Sequence, residues 1–180
     1  MHIEETFISG LKIIHLNCLT DQRGCFLKVF NKQFFEENDL VSDFKESYFS
    51  VSKKDVIRGM HFQTPPEAHF KLVYLTQGSA IDVVLDIRRN SSSYGKFLKL
   101  DISADQPLVL YIPIGCAHGF LALENNTIVT YLQTSYYARE YDTGIRYDSF
   151  GMEWHVLDPI ISDRDLNFIN LYDFDTPFSL

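Results

Sequence analysis

The fold of this chain is indicated by the segment Arg58-Gly59-Met60-His61-Phe62-Gln63, by Lys71, and by the later segment Pro113-Ile114-Gly115-Cys116-Ala117-His118. Two histidines and a lysine lie on strand-like stretches that are otherwise strongly apolar. A small β-barrel built from such stretches points its few polar side chains inward, around a ligand. Because these groups are not needed for folding, they predict a chemical function for the barrel interior.

Short β segments separated by turns account for most of the chain. The predicted strands are 11–16, 26–30, 48–52, 56–62, 71–76, 80–87, 96–102, 108–112, 120–123 and 127–133. The polar stretch 20–24 is predicted to be a turn, and Asn31 is predicted to cap a short helix through Phe35. The last forty residues are less regular, and we expect them to wrap the barrel or cap its mouth.

The length of 180 residues and the 46% of hydrophobic residues predict one domain, 1–180, with a sizeable core. Many short strands at regular spacing favour an all-β fold, an antiparallel sandwich or barrel whose edges are closed or paired. Only a few short helices are expected.

The net charge of −8 argues against a nucleic-acid partner, which would require a basic face. An anionic small molecule is compatible with this charge, because a few cations can be concentrated in one cleft. The candidate cations are Arg23, Arg58, Lys71, Arg88 and Arg89.

Three cysteines, Cys18, Cys25 and Cys116, are odd in number and form no Cys-x-x-Cys pair, so we expect them to be reduced. No basic segment leads into an apolar run at the N-terminus, and no run approaches the length of a membrane span. A cytoplasmic protein without membrane contact is therefore expected.

The spacing Pro113-x-Gly115-x-x-His118 resembles the second signature of the cupin superfamily, jelly-roll barrels that often hold a metal. Only His69 and Lys71 stand where the first signature would supply paired histidines. An ammonium is a poor ligand, and a catalytic metal site needs three protein ligands with one open position. Neither a metal nor another cofactor is expected.

A longer series of motifs points to a particular family. In chain order these motifs are Arg58-Gly59-x-His61-x-Gln63, Lys71-Leu72-Val73, Val84-x-Asp86-Ile87-Arg88-Arg89, Gly95-Lys96, Pro113-x-Gly115-x-Ala117-His118-Gly119-Phe120, Tyr136-Tyr137-Ala138, Gly144-Ile145-Arg146 and Ser162-Asp163-Arg164-Asp165. The series resembles the dTDP-4-dehydrorhamnose 3,5-epimerase family, metal-free cupin-type jelly-roll enzymes that act on nucleotide-linked 4-keto-6-deoxy sugars. The resemblance runs over most of the chain.

Inverting a stereocentre beside a ketone requires a base, a group that stabilises the enolate oxygen, and an acid across the ring. Histidine suits the base, since its unperturbed pKa of about 6.5 lies near working pH. The resemblance makes His61 the base, Asp165 its partner and Tyr131 the acid on the opposite ring face. Lys71 is predicted to stabilise the enolate oxygen, with His118 as a second donor.

Substrate-binding residues are also predicted. Arg58 is expected to meet the diphosphate, because a forked guanidinium suits paired anionic oxygens, and Gln63 of the same motif is assigned to the substrate. The turn with Arg23 and Phe26 matches the family region that binds nucleotide across a dimer interface. The resemblance therefore implies a homodimer formed through the N-terminal strands.

Four positions depart from the pattern of the family. Lys28 stands where a glutamate is common, Glu46 and Tyr48 replace a Gln-x-Asn pair, and His69 replaces a glutamine. The nucleotide base, the hexose, and the choice between C3, C5 or both carbons therefore stay open. The alternatives are a nucleotide-sugar 3,4-ketoisomerase, a non-catalytic sugar-nucleotide binder, and a metal-dependent cupin oxygenase.

Overall fold

The computed structural model describes the whole chain, Met1–Leu180, and consists mainly of β-strands. The elements are β1 (His2–Glu5), β2 (Lys12–His15), β3 (Leu19–Asp21), β4 (Gly24–Phe26), α1 (Lys32–Glu37), β5 (Glu46–Ser52), β6 (Ile57–Gln63), β7 (Lys71–Gln77), β8 (Ser79–Asp86), β9 (Phe97–Ser103), β10 (Leu108–Ile112), β11 (Cys116–Ala122), β12 (Thr127–Gln133), β13 (Asp142–Gly144), α2 (Asp163–Leu166) and a 3₁₀ turn (Leu171–Asp173).

Two large antiparallel sheets form the body of the molecule. One has six strands in the order β1-β2-β10-β7-β12-β5, and the other has five in the order β13-β6-β11-β8-β9. The pairing within both sheets is antiparallel throughout. The prediction of an all-β antiparallel fold with few short helices is confirmed.

Side-chain alternation along the strands explains the high hydrophobic content. On β8, Val84 packs between the two sheets, whereas Val83 and Leu85 pack on the outer face of the five-stranded sheet. On β7, Val73 faces inward and Leu72 faces outward. Because both faces of these strands are covered, they read as nearly continuous apolar runs.

The outer faces are covered by segments with little regular structure. The C-terminal part packs on the five-stranded sheet through Phe150, Trp154 and Phe178. This agrees with the expectation that the last forty residues wrap the barrel. Helix α1 covers the six-stranded sheet through Phe35, which is fully buried. Asn31 caps this helix as predicted, with its side-chain oxygen 3.0 Å from the backbone nitrogen of Phe34.

Some predicted boundaries are wrong. The stretch 20–24 belongs to a hairpin, β3 and β4, and the strand predicted at 26–30 ends at Phe26. Val29 and Phe30 are apolar because they pack beside α1. Strand β11 begins at Cys116, earlier than predicted, while the short strands β1 and β13 and helix α2 give too weak a pattern to be detected.

The expectation for the cysteines is also wrong in part. Cys18 and Cys25 form a disulfide that joins the two sides of the β3–β4 hairpin, while Cys116 is free and buried. The pairing depends on a hairpin that the sequence reading treated as a turn. None of the helices is long and apolar enough to cross a membrane.

Two of the candidate cations, Arg88 and Arg89, pair with carboxylates away from the polar cavity described below. Arg88 is 4% exposed and binds the carboxylate of Asp86 through Nε and Nη2, at 2.8 and 2.9 Å. Ser91 and Ser93 complete this buried cluster by donating to the same carboxylate. Arg89 pairs with Asp175 at the surface. Neither arginine lines the polar cavity described below.

Candidate active site

A polar cavity of about 240 Å³ opens between the sheets at one end of the barrel. Strand alternation creates it, because polar residues replace the apolar ones at the inward positions near this end. The lining residues are Tyr48, Ser50, Arg58, His61, Gln63, His69, Lys71, His118, Tyr131, Gln133, Tyr137, Asp142 and Arg164. Four of the five residues predicted for proton transfer or enolate stabilisation line the cavity, and the fifth, Asp165, touches one of them.

His61 lies on β6, and Nε2 of its ring is 2.9 Å from Oδ2 of Asp165. Met60 and Phe62 on either side point into the outer core, so His61 points into the cavity. The His61 side chain is 28% exposed and that of Asp165 is 5% exposed. The carboxylate therefore lies behind the imidazole, and Nδ1 remains as the basic atom of the ring.

Asp165 is held in place by its own loop. Ser162 caps α2 and accepts from the backbone N–H of Asp165 at 3.1 Å, while the N–H of Gly59 donates to Oδ2 at 3.0 Å. Burial alone would raise the pKa of Asp165, but the hydrogen bond and charge of His61 and the N–H of Gly59 outweigh it and lower this pKa to about 2. Asp165 is therefore ionised at neutral pH and accepts the Nε2–H of His61.

The pKa of His61 lies below its usual value. Burial is the largest cause, and the charges of Lys71 and Arg164 act in the same direction, against the raising effect of Asp165. The imidazole is therefore uncharged at neutral pH, as a general base has to be.

Lys71 begins β7 on the facing sheet and is 7% exposed. Its Nζ donates to the backbone carbonyl of His61 at 3.2 Å, which ties the two sheets together at the cavity. Burial lowers the pKa of Lys71 to about 8 in spite of the opposing charge of Asp142. A protonated amine in so dry a site would stabilise an anion strongly.

Tyr131 lies on β12, in the sheet opposite His61, and is 8% exposed. Its ring stacks on that of its cross-strand neighbour Tyr48, with the centroids 4.8 Å apart and the planes 17° apart. Burial raises the pKa of Tyr131 well above its usual range, so the phenol keeps its proton. The cavity thus has an uncharged imidazole on one wall and a protonated phenol on the other.

His118 is paired in register with His61 across β11 and β6. Its Nε2 lies 2.8 Å from Oδ2 of Asp82, and both side chains are almost fully buried. Asp82 was not among the residues chosen from the sequence. Its place on β8 between the inward-facing Ala80 and Val84 was the available signal.

Gln63 lines the cavity but is engaged by the protein itself. Its amide nitrogen donates to the carbonyls of Glu67 and Tyr136 at 2.9 and 3.1 Å, and its oxygen accepts from the N–H of Ala138 at 2.8 Å. Gln63 therefore holds the two loops beside the cavity.

The remaining predicted binding residues lie further out. Arg58 is exposed at the rim of the cavity, where Nε donates to Ser52 at 3.0 Å. Arg23 and Phe26 lie on the β3–β4 hairpin and do not line the cavity, and Arg23 pairs with Asp21. Arg164, Asp142 and Gln133 line the cavity without having been singled out as site residues.

The fold and the site together define a cupin-type barrel whose interior carries groups for proton transfer. The family model described as dTDP-4-dehydrorhamnose 3,5-epimerase matches residues 5–173. The dTDP-4-dehydrorhamnose 3,5-epimerase of Methanothermobacter thermautotrophicus is 40% identical over 169 residues, which cover 91% of each chain. The chain belongs to the dTDP-4-dehydrorhamnose 3,5-epimerase family, a family of isomerases.

Solved structures agree with this assignment. The dTDP-4-dehydrorhamnose 3,5-epimerase of Bacillus anthracis, crystallised with TDP and PPi, is similar at a TM-score of 0.91 and 32% identity, over 94% of this chain and 98% of that one. The dTDP-6-deoxy-D-glucose-3,5-epimerase of Legionella pneumophila, in complex with dTDP-4-keto-L-rhamnose, also has a TM-score of 0.91 and 32% identity, over 97% of this chain and 94% of that one.

Proposed function

We propose that this protein epimerises a nucleotide-linked 4-keto-6-deoxy hexose at C3, C5 or both, with dTDP as the nucleotide, in deoxysugar biosynthesis in the cytoplasm. The observation that carries the proposal is the His61–Asp165 pair on one wall of the cavity, opposite the buried phenol of Tyr131. Relatives with dTDP-sugar names and ligands support the substrate class.

The first step is removal of a proton beside the ketone. Nδ1 of His61 takes the α-proton, the C–H electron pair forms the enolate, and Asp165 stabilises the resulting imidazolium through Nε2. The ammonium of Lys71 lies in the same cavity and stabilises the negative oxygen of the enolate. His118 acts as a second donor only as an imidazolium, because its Nε2 already pairs with Asp82. Removing the positive charge of Lys71 would therefore slow this step.

The second step returns a proton from the other side. The O–H of Tyr131 protonates the α-carbon on the face away from His61, and the carbonyl re-forms with the inverted configuration. The high pKa of Tyr131 means that its phenolate recovers a proton readily from water, while His61 releases the original proton. The net reaction exchanges one proton with solvent and changes no oxidation state.

Arg58 at the rim supplies a cation for the diphosphate, since its charge lies next to the open side of the cavity. Arg23 and Phe26 reach a nucleotide only if the hairpin of a second copy lies against the cavity. We therefore propose a homodimer in which each hairpin completes the nucleotide site of the partner.

The test is turnover of a panel of nucleotide 4-keto-6-deoxy sugars in deuterated water. The dTDP sugar should be inverted with deuterium at each inverted carbon, and one or two labelled carbons distinguish single from double epimerisation. Movement of the carbonyl to C3 would instead show a ketoisomerase. Tight binding without any label would show a non-catalytic binder, and preference for a GDP, CDP or UDP sugar would change the nucleotide assignment.

A further inference from the structure

His69 has an unused ring nitrogen at the cavity. The side chain lies two residues before Lys71, on the same face of the extended chain, and it lines the same cavity. His69 is 7% exposed, and its Nε2 is buried without any hydrogen-bond partner in the protein. An unpartnered polar atom buried beside a ligand cavity is costly unless the ligand supplies the partner.

The hydrogen bonds of Gln63 determine which nitrogen of His69 carries the proton. The N–H of Ala138 donates to the Gln63 oxygen, which fixes the orientation of the amide. Both hydrogens of the Gln63 nitrogen then go to the carbonyls of Glu67 and Tyr136. Nδ1 of His69 lies 3.3 Å from the Gln63 nitrogen and 3.1 Å from the carbonyl of Glu67. Because both hydrogens of that nitrogen are engaged by the shorter bonds to the carbonyls, Nδ1 carries the proton and donates it to the Glu67 carbonyl, which only accepts.

Nε2 of His69 is consequently a hydrogen-bond acceptor. Burial and the charge of Lys71 lower the pKa of His69 to about 4, so the ring is uncharged at neutral pH and Nε2 keeps its lone pair. A donor, Nζ of Lys71, and an acceptor, Nε2 of His69, thus belong to side chains that lie two residues apart in the chain and line the same cavity. A ketone with a hydroxyl on the adjacent carbon has the complementary pair of groups.

We propose that His69 is a specificity-determining residue that accepts a hydrogen bond from the C3 hydroxyl of the sugar while Lys71 binds the C4 carbonyl. This inference rests on the proposed function, because it takes the substrate to be a 4-keto hexose. C3 is assigned because C5, the other neighbour of the ketone, carries the ring oxygen and the methyl-bearing C6 and no hydroxyl.

The test compares the dTDP-linked 4-keto-6-deoxy sugar with its 3-deoxy analogue. Solvent deuterium incorporation at C5 gives kcat/KM for both compounds, and titration calorimetry gives Kd for both. The wild type should prefer the 3-hydroxy sugar by about 10- to 100-fold, the effect expected when a buried group loses its partner. In His69→Leu this ratio should fall to within about threefold of one.

Two control variants make the result specific. His69→Gln retains an acceptor oxygen and should keep most of the preference, while His15→Leu removes an exposed histidine on β2 and should behave as wild type. Circular dichroism and thermal melting establish that each variant is folded. A 2-deoxy analogue should lose affinity equally in wild type and His69→Leu.

An unchanged 3-hydroxy preference in His69→Leu would overturn the inference, as would a selective loss of the 2-hydroxy preference. Absence of label at both C3 and C5 of the 3-hydroxy sugar in the wild type would contradict the proposed function instead. In that event the ratio of the two Kd values still decides the role of His69, because binding does not depend on turnover.

Discussion

At the scale of single residues, the environment of the site determines the protonation state of three groups in or beside the cavity. Hydrogen bonds keep Asp165 ionised, while burial keeps His61 uncharged and Tyr131 protonated. Each state is the one required for its proposed role at neutral pH. The same cavity lowers the pKa of Lys71 without neutralising it, so one positive charge faces the position of the enolate.

Removal of the base should abolish turnover. We expect His61→Ala to lose about a thousandfold to ten-thousandfold in kcat, because the cavity holds no second base beside Nδ1 in this position. Asp165→Asn should lose activity severely, since an amide can hold the other tautomer of His61. Steady-state kinetics with circular dichroism as the folding control measure both, and more than a few per cent activity in His61→Ala would contradict the assignment.

Replacing the acid should separate exchange from inversion. In Tyr131→Phe, His61 and Lys71 still form the enolate, but only His61 returns a proton, and it does so from the original face. The variant should incorporate solvent deuterium at the α-carbon with its configuration largely kept, as followed by NMR. Equal losses of exchange and inversion would show that Tyr131 orients the substrate or packs the barrel.

The pH profile should be bell-shaped. Activity requires uncharged His61, so kcat/KM should fall as the pH drops through a pKa below the usual value of about 6.5. Activity also requires charged Lys71, so kcat/KM should fall as the pH rises through about 8. If the Lys71→Arg variant retains measurable activity, its pH profile should lack the alkaline limb, because arginine does not titrate in this range. An alkaline limb near 10 would contradict this role of Lys71.

At the scale of the strands, the site depends on the close approach of β6 and β11. The register between them shifts after His118, and Gly119 lies where the backbones come nearest. A Cβ at position 119 would lie 2.7 Å from the carbonyl oxygen of Arg58 and 2.7 Å from Sδ of Met60. The glycine therefore sets the distance between the strands that carry His61 and His118.

Gly119→Ala should lower both stability and activity. Overpacking against a backbone atom is expected to reduce the free energy of unfolding by about 1–3 kcal/mol, because the two strands must separate. Urea denaturation measures this loss, and Ser92→Ala in an exposed loop should change stability by less than about 0.5 kcal/mol. A Gly119→Ala variant as stable as wild type would show that the strands accommodate the methyl group.

At the scale of the whole molecule, several apolar side chains are exposed, and two groups of them lie on strands. Leu19 and Phe26 on the β3–β4 hairpin are 65% and 60% exposed, and Phe49 and Val51 on the edge strand β5 are 66% and 50% exposed. Clusters of exposed apolar side chains mark interaction surfaces, and an edge strand offers unpaired backbone groups. Both features fit the proposed dimer.

The protein should sediment as a dimer of the 20.9 kDa chain at micromolar concentration. Leu19→Glu should shift the equilibrium toward monomer and raise KM, because the charge opposes burial of the hairpin and withdraws Arg23 and Phe26 from the nucleotide. Analytical ultracentrifugation and steady-state kinetics test this, with Leu157→Glu as a matched control at another exposed leucine. A monomeric wild type would contradict the dimer.

The sequence alone was sufficient to predict the all-β barrel and several of the residues that meet in its cavity. Most strands can be located from the sequence, because a strand buried on one face alternates apolar and polar residues and a strand buried on both faces is continuously apolar. The ordered motifs singled out His61, Lys71 and His118, and the family resemblance added Tyr131; the structure brings these side chains to one cavity. Asp165, also selected, lies behind His61.

Only the tertiary structure brings the paired side chains of the site together. Asp165 lies 104 positions from His61, and Asp82 lies 36 positions from His118, so no local pattern reports either pairing. The lone pair of His69 depends on Gln63, whose amide is oriented by Ala138 and Tyr136, 75 and 73 positions away. Arg88 pairs with Asp86 only two positions away, but it also donates to the carbonyl of Ser9, 79 positions away. Strand periodicity specifies the face on which a side chain lies, whereas its ionisation and its hydrogen bonds depend on the groups that other parts of the chain place next to it.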